Sequence, residues 1–303
     1  MAENTGIAWA THTHNEWEGC TKVGPGCDHC YAEARNRRFH GGANWGVGAP
    51  RRLTSIQNRN RPLRWQRERR AAIDAGLHPP RVRVFGGSLM DPFDNEVLPR
   101  FREGLWARID ATPDLDWILV TKRIGNVWKM APAYGFGPNV IILATIVDQL
   151  EAERDLYKLR ALKNNGYVDL IGVSYEPALG PVDWSPWIAD LDWLIIGGES
   201  AQGGAAARDF RPEWAWQSLA LCRKAGVPFY MKQMGSRVIE RNDHVCTGIV
   251  RSDWEPFIDI GTVEHDVHGF GEDHQGADCR IRLSSRAGSD PSEWPLGLRI
   301  REF

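Results

Sequence analysis

Residues 82–88 read VRVFGGS, a short apolar run that ends in two glycines and a serine. Comparable apolar runs follow along the chain: WILV at 117–120, VIILA at 140–144, LIGV at 170–173, WLII at 193–196 and FYM at 229–231. Short runs that are rich in β-branched and aromatic residues and bounded by turn residues predict buried β-strands. We therefore expect six strands in this part of the chain.

Stretches with helical periodicity lie between several of these strands, at residues 97–109, 156–162 and 212–226. Strands that alternate with helices form a parallel sheet covered on both faces. A further strand is expected near residues 7–10 or 16–18. The sequence thus predicts an α/β fold, which we interpret as a partial or complete TIM-type (βα) barrel with parallel strands. A doubly wound sheet is the alternative.

The alternation of strands and helices ends near Gly235. We expect residues 1–235 to form the barrel-like core, which includes an N-terminal cysteine loop and an arginine-rich segment at 35–70. Residues 236–303 are rich in glycine, aspartate and histidine, and we interpret them as a C-terminal extension packed on the core.

Polar or small residues follow the predicted strands. They are Gly86, Gly87, Ser88 and Asp91, then Thr121, Lys122 and Arg123, then Thr145, then Ser174, Tyr175 and Glu176, then Gly197, Gly198, Glu199 and Ser200, and finally Lys232 and Gln233. Ligands of parallel α/β proteins bind at the carboxyl ends of the strands. The pattern therefore predicts a shared polar pocket there.

The composition excludes several classes of protein. With 303 residues, 42% of them hydrophobic and 25% charged, the chain is neither disordered nor a coiled coil. No segment approaches the roughly 18 apolar residues of a membrane helix, and the first residues are polar, so we expect a cytoplasmic protein with no membrane contact. Six cysteines are too few for a disulfide scaffold in a chain of this length.

Three of the cysteines are clustered. Cys20, Cys27 and Cys30 form C-x6-C-x2-C in a loop that contains glycine and proline. One interpretation is a structural zinc site whose fourth ligand is His12, His14, His29 or His40. The other is a [4Fe–4S] cluster with one iron left open, at which S-adenosylmethionine could bind. The remaining cysteines, Cys222, Cys246 and Cys279, are isolated and lack ligand-like spacing.

An ordered set of motifs runs through the first seven-tenths of the chain: GCTKVGPGCDHCYAE, VFGGSLMDPFD, LVTKR, SYEPALGPVDW, WLIIGGES and VPFYMKQMG. In this order they resemble the phage-associated three-cysteine-motif family, which is itself similar to radical S-adenosylmethionine enzymes of the spore photoproduct lyase type. The spacing differs from the usual C-x3-C-x2-C of those enzymes, and His29 stands where they have an aromatic residue.

The resemblance implies roles for individual residues. Cys20, Cys27 and Cys30 would bind the [4Fe–4S] cluster. Gly86, Gly87 and Ser88, together with Asp91, would bind S-adenosylmethionine, with serine standing where those enzymes have an acid. Glu176, Glu199 and Lys232 would be catalytic residues that face the cofactor or the substrate. A reductase is a possible further partner.

The arginine-rich segment has a strong local charge. Residues 35–70 contain eleven arginines, no lysine and one acid, Glu68, although the whole chain has 37 basic and 39 acidic residues. Arginine favours planar bidentate contacts, and aromatic residues at Phe39, Trp45 and Trp65 are interleaved with it, as in surfaces that bind phosphates and unpaired bases. The expected contacts to nucleic acid, with DNA favoured, are Arg51, Arg52, Arg64, Trp65, Arg67 and Arg70.

The leading hypothesis is a radical S-adenosylmethionine type iron–sulfur enzyme that acts on nucleic acid in repair or modification. A second is a nucleic-acid-binding protein without catalysis that carries a structural zinc or iron–sulfur site. A third is a metal-dependent hydrolase that uses Asp91, Glu176 and Glu199, although the sequence has no H-E-x-x-H or H-x-x-E-H pair.

Overall fold

The computed structural model describes residues 3–242, 266–267, 277–281 and 283–302. The strands in chain order are β1 (His12–His14), β2 (Trp17–Glu18), β3 (Arg52–Leu53), β4 (Val82–Gly86), β5 (Leu115–Thr121), β6 (Val140–Thr145), β7 (Leu170–Tyr175), β8 (Trp193–Gly197), β9 (Phe229–Gln233), β10 (Val238–Asn242), β11 (Asp266–Val267) and β12 (Ala277–Ile281). The helices are α1 (Tyr31–His40), α2 (Ile56–Arg59), α3 (Arg61–Asp74), α4 (Pro99–Asp110), α5 (Val127–Met130), α6 (Gln149–Asn164) and α7 (Pro212–Ala225).

The main sheet has seven strands in the order β1-β4-β5-β6-β7-β8-β9. Its strand order follows the chain order without reversal, whereas a doubly wound sheet reverses direction at a switch point. The predicted α/β fold with a partial TIM-type barrel of parallel strands is therefore confirmed. All six strands predicted from apolar runs are present.

The first strand differs from both predicted positions. It lies at His12–His14, where it pairs with β4 through the registers His12↔Val84 and His14↔Gly86. The predicted segment 16–18 contributes β2 to a separate antiparallel pair with β3 instead. The sequence did not indicate this strand because HTH has no apolar run, and β1 is defined by its pairing with β4.

The chain divides into two compact units. The N-terminal unit comprises the residues up to Thr145 together with Glu153–Ser174 and Asp190–Asp192. Its core includes Trp117, Leu119 and Ile142, none of which is exposed. The helix predicted at residues 97–109 is α4, which buries Phe101, Leu105 and Ile109 against this unit.

The C-terminal unit contains β8, β9 and α7. Helix α7 begins with Pro212 in its first turn and ends before Gly226, whose φ of 71° is a left-handed conformation that glycine adopts without strain. Residues near the C-terminus lie along β9, since the Met231 N–H donates to the Ile300 carbonyl at 2.9 Å. They cover an edge that would otherwise expose unpaired backbone groups.

Much of the predicted C-terminal extension, including residues 243–265, 268–276 and Cys246, lies outside the described residues. Within the described part, residues 238–242, 266–267 and 277–281 form a small antiparallel sheet in the order β10-β12-β11. Among the residues that the structure describes, no helix combines the length and the apolar character needed to cross a bilayer.

Candidate metal centre and nucleic-acid interface

The clustered cysteines lie in one loop at three defined positions. Cys20 forms an isolated parallel bridge with Trp45, the 3₁₀ turn Pro25–Cys27 ends at the second cysteine, and Cys30 is the N-cap of α1. Proline suits the start of such a turn because its φ is fixed and its missing N–H needs no partner. All three thiols are free of disulfides.

The Cys30 thiol lies among hydrogen-bond donors and positive charge. Burial raises its pKa, and the Cys27 thiol adds to that rise, while Lys122 and the backbone N–H groups of Ala32 and Glu33 lower it. The surrounding donors stabilise a thiolate once a metal has replaced the thiol proton.

The Cys20 thiol is held by an arginine. Burial raises the pKa of Cys20 to about 12, Asp91 adds to the rise, and Arg123 opposes it. Arg123 Nη1 lies 3.3 Å from Cys20 Sγ. This guanidinium donates toward the sulfur and fixes the direction in which the thiol points.

Arg123 connects the cysteine loop to the carboxyl ends of two strands. Its side chain is only 5% exposed, its Nη1 donates to Asp91 Oδ2 at 2.9 Å, and its Nη2 donates to the backbone carbonyl of Thr21. Asp91 follows β4 and Arg123 follows β5, so one ion pair joins both strand ends to the loop that carries Cys20.

Both carboxylate oxygens of Asp91 accept hydrogen bonds from the protein. Its carboxylate accepts hydrogen bonds from Thr121 Oγ1 at 2.8 Å, Phe93 N at 2.9 Å, Lys122 N at 3.3 Å and Arg123 Nη1 at 2.9 Å. A carboxylate offers about four accepting positions, and these contacts use them. Asp91 therefore orients Arg123, and the structure leaves it no further oxygen lone pair with which to bind a cofactor.

Packing within the protein explains the glycine at position 87 and leaves little room for a side chain at Gly86, the last residue of β4. A Cβ on Gly87 would lie 2.6 Å from Asn15 Oδ1 and 2.8 Å from the His14 carbonyl, and a Cβ on Gly86 would lie 3.1 Å from the ring of Trp117. These distances leave no room for a side chain at Gly87. The glycines thus have a structural explanation that is separate from cofactor binding.

Ser88 is tied to two neighbouring segments. Asn15 Nδ2 donates to Ser88 Oγ at 3.0 Å, and the hydroxyl of Tyr31 donates to the Ser88 carbonyl at 2.7 Å. Tyr31 follows Cys30 directly, so this bond joins the start of α1 to the loop after β4. The structure thereby brings Cys30 and Ser88 into the same region of the N-terminal unit.

The three residues expected to be catalytic belong to the C-terminal unit. Lys232 Nζ donates to Glu176 Oε2 at 2.9 Å in a pair whose side chains are 29% and 14% exposed. Arg208 holds Glu199 through Nη2 at 2.6 Å, Nε at 3.1 Å and its backbone N–H at 2.9 Å. Glu199 is therefore bound by the loop that contains Arg208, whereas Glu176 and Lys232 form a half-buried acid–base pair.

The interpretation as a metal-dependent hydrolase is not supported by these contacts. Asp91, Glu176 and Glu199 are each paired with a different cation: Arg123, Lys232 and Arg208. Nowhere in the described ranges do three or more His, Cys, Asp or Glu side chains converge as ligands of one ion. What distinguishes these carboxylates is that each is neutralised by its own cation.

The cysteine loop fits a thiolate-bound group through its donor chemistry. The same absence of a converged set applies to the three cysteines, all of which lie within the described residues. The guanidinium at Cys20 Sγ and the N–H donors around Cys30 are nevertheless contacts of the kind that stabilise a thiolate ligand and tune the metal that it binds. Cys20, Cys27 and Cys30 are the residues that would hold the group.

Three of the four histidines proposed as a zinc ligand are engaged elsewhere. The ring of His12 stacks on Trp65 with 4.2 Å between centroids, and His40 lies 3.5 Å from Glu18. His14 is fully buried and lies 3.3 Å from Glu16. His29, between Cys27 and Cys30, is the candidate that shares the loop with the thiols.

The arginine-rich segment contains one arginine with a purely internal role. Arg51 is 1% exposed, and its Nε donates to Asp94 Oδ2 at 2.6 Å. Its Nη1 donates to the carbonyls of Gly46 and Ala49. Arg51 was expected to contact nucleic acid, but it has no surface with which to do so.

Trp65 is also internal. It is 3% exposed, stacks on His12, and donates from Nε1 to Glu3 Oε1 at 2.7 Å. A buried ring cannot stack on an external base, so the expected stacking contact of Trp65 is not available in this structure. The hydrophobic pattern of α3 explains this, because Pro62 and Trp65 lie on its buried face.

The other arginines expected to contact nucleic acid differ in whether they are paired with a carboxylate. Arg64 pairs with Glu3 and Glu68, Arg70 pairs with Asp114 at 2.9 Å, and Arg52 pairs with Glu18. Arg67 is exposed and has no carboxylate partner among the described residues. Of this group, Arg67 keeps an uncompensated charge.

Sequence reasoning did not assign a role to Arg123 or Asn15, which organise the site. The sequence did place Arg123 after a predicted strand, within TKR, and that position was the available signal. Asn15 had no signal, because its neighbours give no apolar run and its partners, Ser88 and Leu89, are more than 70 residues away in the chain.

Comparisons with known proteins gave one family and several weak structural similarities. No curated protein matches the chain. A spore photoproduct lyase variant is 12% identical, with a TM-score of 0.43 over 93% of this chain and 72% of that one. Another variant of that lyase, with bound AdoMet and dinucleoside spore photoproduct, is 11% identical, with a TM-score of 0.38 over 91% and 69% of the two chains. Similarities at this level do not identify a function.

The family model matches most of the chain by sequence. Residues 4–277 match the family described as "Protein of unknown function (DUF5131)". This range includes the cysteine loop, the arginine-rich segment and all seven strands of the main sheet. The chain belongs to the DUF5131 family.

Proposed function

We propose that this protein is a radical S-adenosylmethionine type iron–sulfur enzyme that acts on nucleic acid, in DNA repair or modification. The observation that carries the proposal is the attachment of a three-cysteine loop to the carboxyl ends of β4 and β5 through Arg123 and Asp91. The carboxyl ends of parallel strands are where α/β proteins bind their ligands.

Cys20, Cys27 and Cys30 would hold a [4Fe–4S] cluster and leave one of its irons open. When bound, such a cluster supplies a site for S-adenosylmethionine and an electron, which a reductase would provide. Arg123 would orient Cys20 and place positive charge beside the thiolate. Because outer hydrogen bonds adjust both the affinity and the potential of a metal centre, Arg123 is a positioning residue in this proposal.

The remaining expected residues have narrower proposed roles. The Ser88 hydroxyl accepts from Asn15 and still has a proton to donate toward a ligand. Glu176 and Lys232 would hold or move a proton at the carboxylate or the ammonium group. Glu199 and Asp91 would act by holding Arg208 and Arg123 in place.

A second candidate function follows from His29. This residue lies between two of the cysteines, and a Cys3His set is a known form of structural zinc site. The protein would then be a nucleic-acid-binding protein without catalysis.

Electron paramagnetic resonance tests the proposal. Protein reconstituted anaerobically with iron and sulfide should give a reduced-cluster spectrum that changes when S-adenosylmethionine is added, because the cofactor would bind the open iron. Ser88→Ala should weaken this change if the hydroxyl contacts the cofactor. A spectrum that is indifferent to the cofactor would contradict the proposal and favour a structural cluster.

A further inference from the structure

Helix α1 carries an exposed face of which the contacts described so far use the Tyr31 hydroxyl alone, through its hydrogen bond to the Ser88 carbonyl. Tyr31, Arg35, Arg38 and Phe39 are spaced i, i+4, i+7 and i+8, which places them on one side of the helix. All four are exposed, and Phe39 is 60% exposed. We call these four residues the α1 stripe.

The opposite side of α1 is fixed to the protein. Ala32, Glu33 and Asn36 are its buried residues. Asn36 Nδ2 donates to Glu18 Oε1 at 3.2 Å, and Asn36 Oδ1 accepts from the Asn44 N–H at 3.3 Å. The helix is therefore anchored by this face. Of the stripe, Arg35 also donates to Glu18 Oε1 at 3.0 Å and Tyr31 to the Ser88 carbonyl at 2.7 Å, whereas Arg38 and Phe39 are exposed.

Two arginines flank the exposed phenylalanine. Arg35 Cζ lies 5.4 Å and Arg38 Cζ lies 5.2 Å from the centroid of the Phe39 ring. Exposing a large apolar ring to water costs free energy, and cations at this distance are attracted to the face of the ring. The stripe thus places one stacking surface and two guanidinium groups within a single footprint.

The charge around the stripe is not balanced by its carboxylates. Glu18 and Glu33 are shared by four cations: Arg35, Arg52, Lys22 and Arg37. Arg38 adds a further cation for which the described part of the chain shows no carboxylate. The surface therefore has an excess of positive charge, which complements an anionic polymer.

The stripe begins beside the candidate metal centre. Tyr31 follows Cys30, the N-cap of α1, and its hydroxyl binds the carbonyl of Ser88. A polymer that lies along α1 would therefore pass next to the cysteine loop. Helix α3 lacks this placement, because its N-cap is Asn60 and its contacts run to Glu3 and Asp114.

We propose that the α1 stripe is the surface that binds single-stranded DNA, with Phe39 stacked on an unpaired base and Arg35 and Arg38 on the flanking phosphates. Single-stranded DNA is the partner because it offers accessible base faces together with phosphates, whereas a duplex stacks its bases internally. The inference rests on the proposed function for its nucleic-acid substrate, and it adds the strand state and the contact surface.

Fluorescence anisotropy with a labelled 20-nucleotide oligothymidylate tests the inference across a series of salt concentrations. Phe39→Ala should weaken binding by about 5- to 150-fold, the range expected for loss of one stacked base, without changing the salt slope. Arg38→Ala should reduce the logarithmic salt slope by about 0.7, one phosphate contact on a single strand, and Arg38→Lys should retain most of it.

Tyr157 provides a matched control. It is 54% exposed on α6, in the same unit, and Lys158 Nζ lies 5.4 Å from its ring centroid. Tyr157→Ala removes an exposed aromatic residue beside a cation but should leave DNA affinity unchanged. Thermal unfolding and metal content should be the same for all of these variants, since none of the substituted side chains is buried or a proposed metal ligand.

The outcomes separate the inference from the proposed function. If the native protein binds the oligonucleotide but Phe39→Ala and Arg38→Ala bind as tightly, the α1 inference is wrong and the nucleic-acid function stands. Tighter binding to a duplex of the same length would also overturn the inference. Absence of nucleic-acid binding by the native protein at low salt would remove both.

Discussion

Helices α1 and α3 are both rich in arginine and belong to the same unit, but they differ in how their charge is used. On α3, Arg64 and Arg70 are paired with carboxylates, and the aromatic residue, Trp65, is buried. On α1, Arg38 has no carboxylate partner among the described residues, and the aromatic residue, Phe39, is exposed. Each helix also carries an arginine of the other kind, since Arg35 on α1 pairs with Glu18 and Arg67 on α3 is exposed without a carboxylate partner among the described residues. The clearest difference between the helices is therefore the exposure of their aromatic residue, and the number of arginines does not locate a binding surface.

The carboxylates that neutralise α3 come from distant parts of the chain. Glu3 is 61 residues from Arg64, and Asp114 is 44 residues from Arg70. Counted along the sequence, the arginine-rich segment contains one acid. In the folded protein, further acids from other parts of the chain pair with the arginines of α3. The charge of a sequence segment does not reveal these ion pairs, because tertiary packing brings the partners together.

The largest expected effect concerns the three clustered cysteines. They lie next to α1, whose N-cap is Cys30, whereas the N-cap of α3 is Asn60. Replacing Cys20, Cys27 or Cys30 by alanine should abolish metal binding, because each thiolate would supply a bond to the metal. Metal content per chain after anaerobic purification measures the effect. Cys222→Ala is the control, since Cys222 is buried within α7 and should not affect the metal. Full metal content in Cys27→Ala would contradict the assignment.

The next effect concerns stability and distinguishes Trp65 on α3 from Phe39 on α1. Trp65→Ala should lower the free energy of unfolding by about 3–5 kcal/mol, because it empties a buried site and leaves Glu3 without its indole donor. Phe39→Ala should change it little, as expected for an exposed side chain. Chemical denaturation measures both. If Trp65→Ala kept full stability and lost only DNA affinity, the distinction between the helices would be incorrect.

A smaller effect, on metal affinity, is expected from a substitution of Arg123. Arg123→Lys keeps the charge but loses the fork that contacts Cys20, Thr21 and Asp91 at once. Metal affinity should fall by about 10- to 100-fold, as is typical for residues that orient a metal ligand. Competition with a chelator measures this. Arg160→Lys, a partly exposed arginine paired with Asp190, is the matched control and should behave as the native protein does.

The smallest effect tests the comparison through salt dependence. Replacing Arg64, Arg67 and Arg70 together by alanine should leave the logarithmic salt slope of DNA binding nearly unchanged, because α3 lies outside the α1 stripe and Arg64 and Arg70 are paired with carboxylates. Arg38→Ala alone should reduce the slope by about 0.7, the loss of one phosphate contact on a single strand. A reduction near three for the triple variant would show that α3 contacts the DNA directly.

The sequence predicted the fold well because the fold depends on local signals. The six apolar runs became strands, and α7 starts and ends at the proline and glycine that indicated it. β1 was misplaced because a strand of three residues, HTH, is defined by its pairing with β4 and has no pattern of its own.

The candidate site was predictable in part. The positions of Gly86 to Asp91 and of Arg123 after two strands followed from the sequence, but their contacts did not. Asp91 was expected to meet a cofactor, and in the structure it holds Arg123, because four donors converge on its carboxylate. Gly87 was expected to allow the approach of a cofactor, and its packing against Asn15 gives it a structural role.

The metal content of the native protein, purified without oxygen, tests the central claim most directly. The account predicts brown protein with about four irons and four sulfides per chain, as three cysteine ligands and an open iron imply. Iron, acid-labile sulfide and zinc should be measured on the same sample. Colourless protein with one zinc per chain and no sulfide would contradict the iron–sulfur assignment and favour a structural Cys3His site.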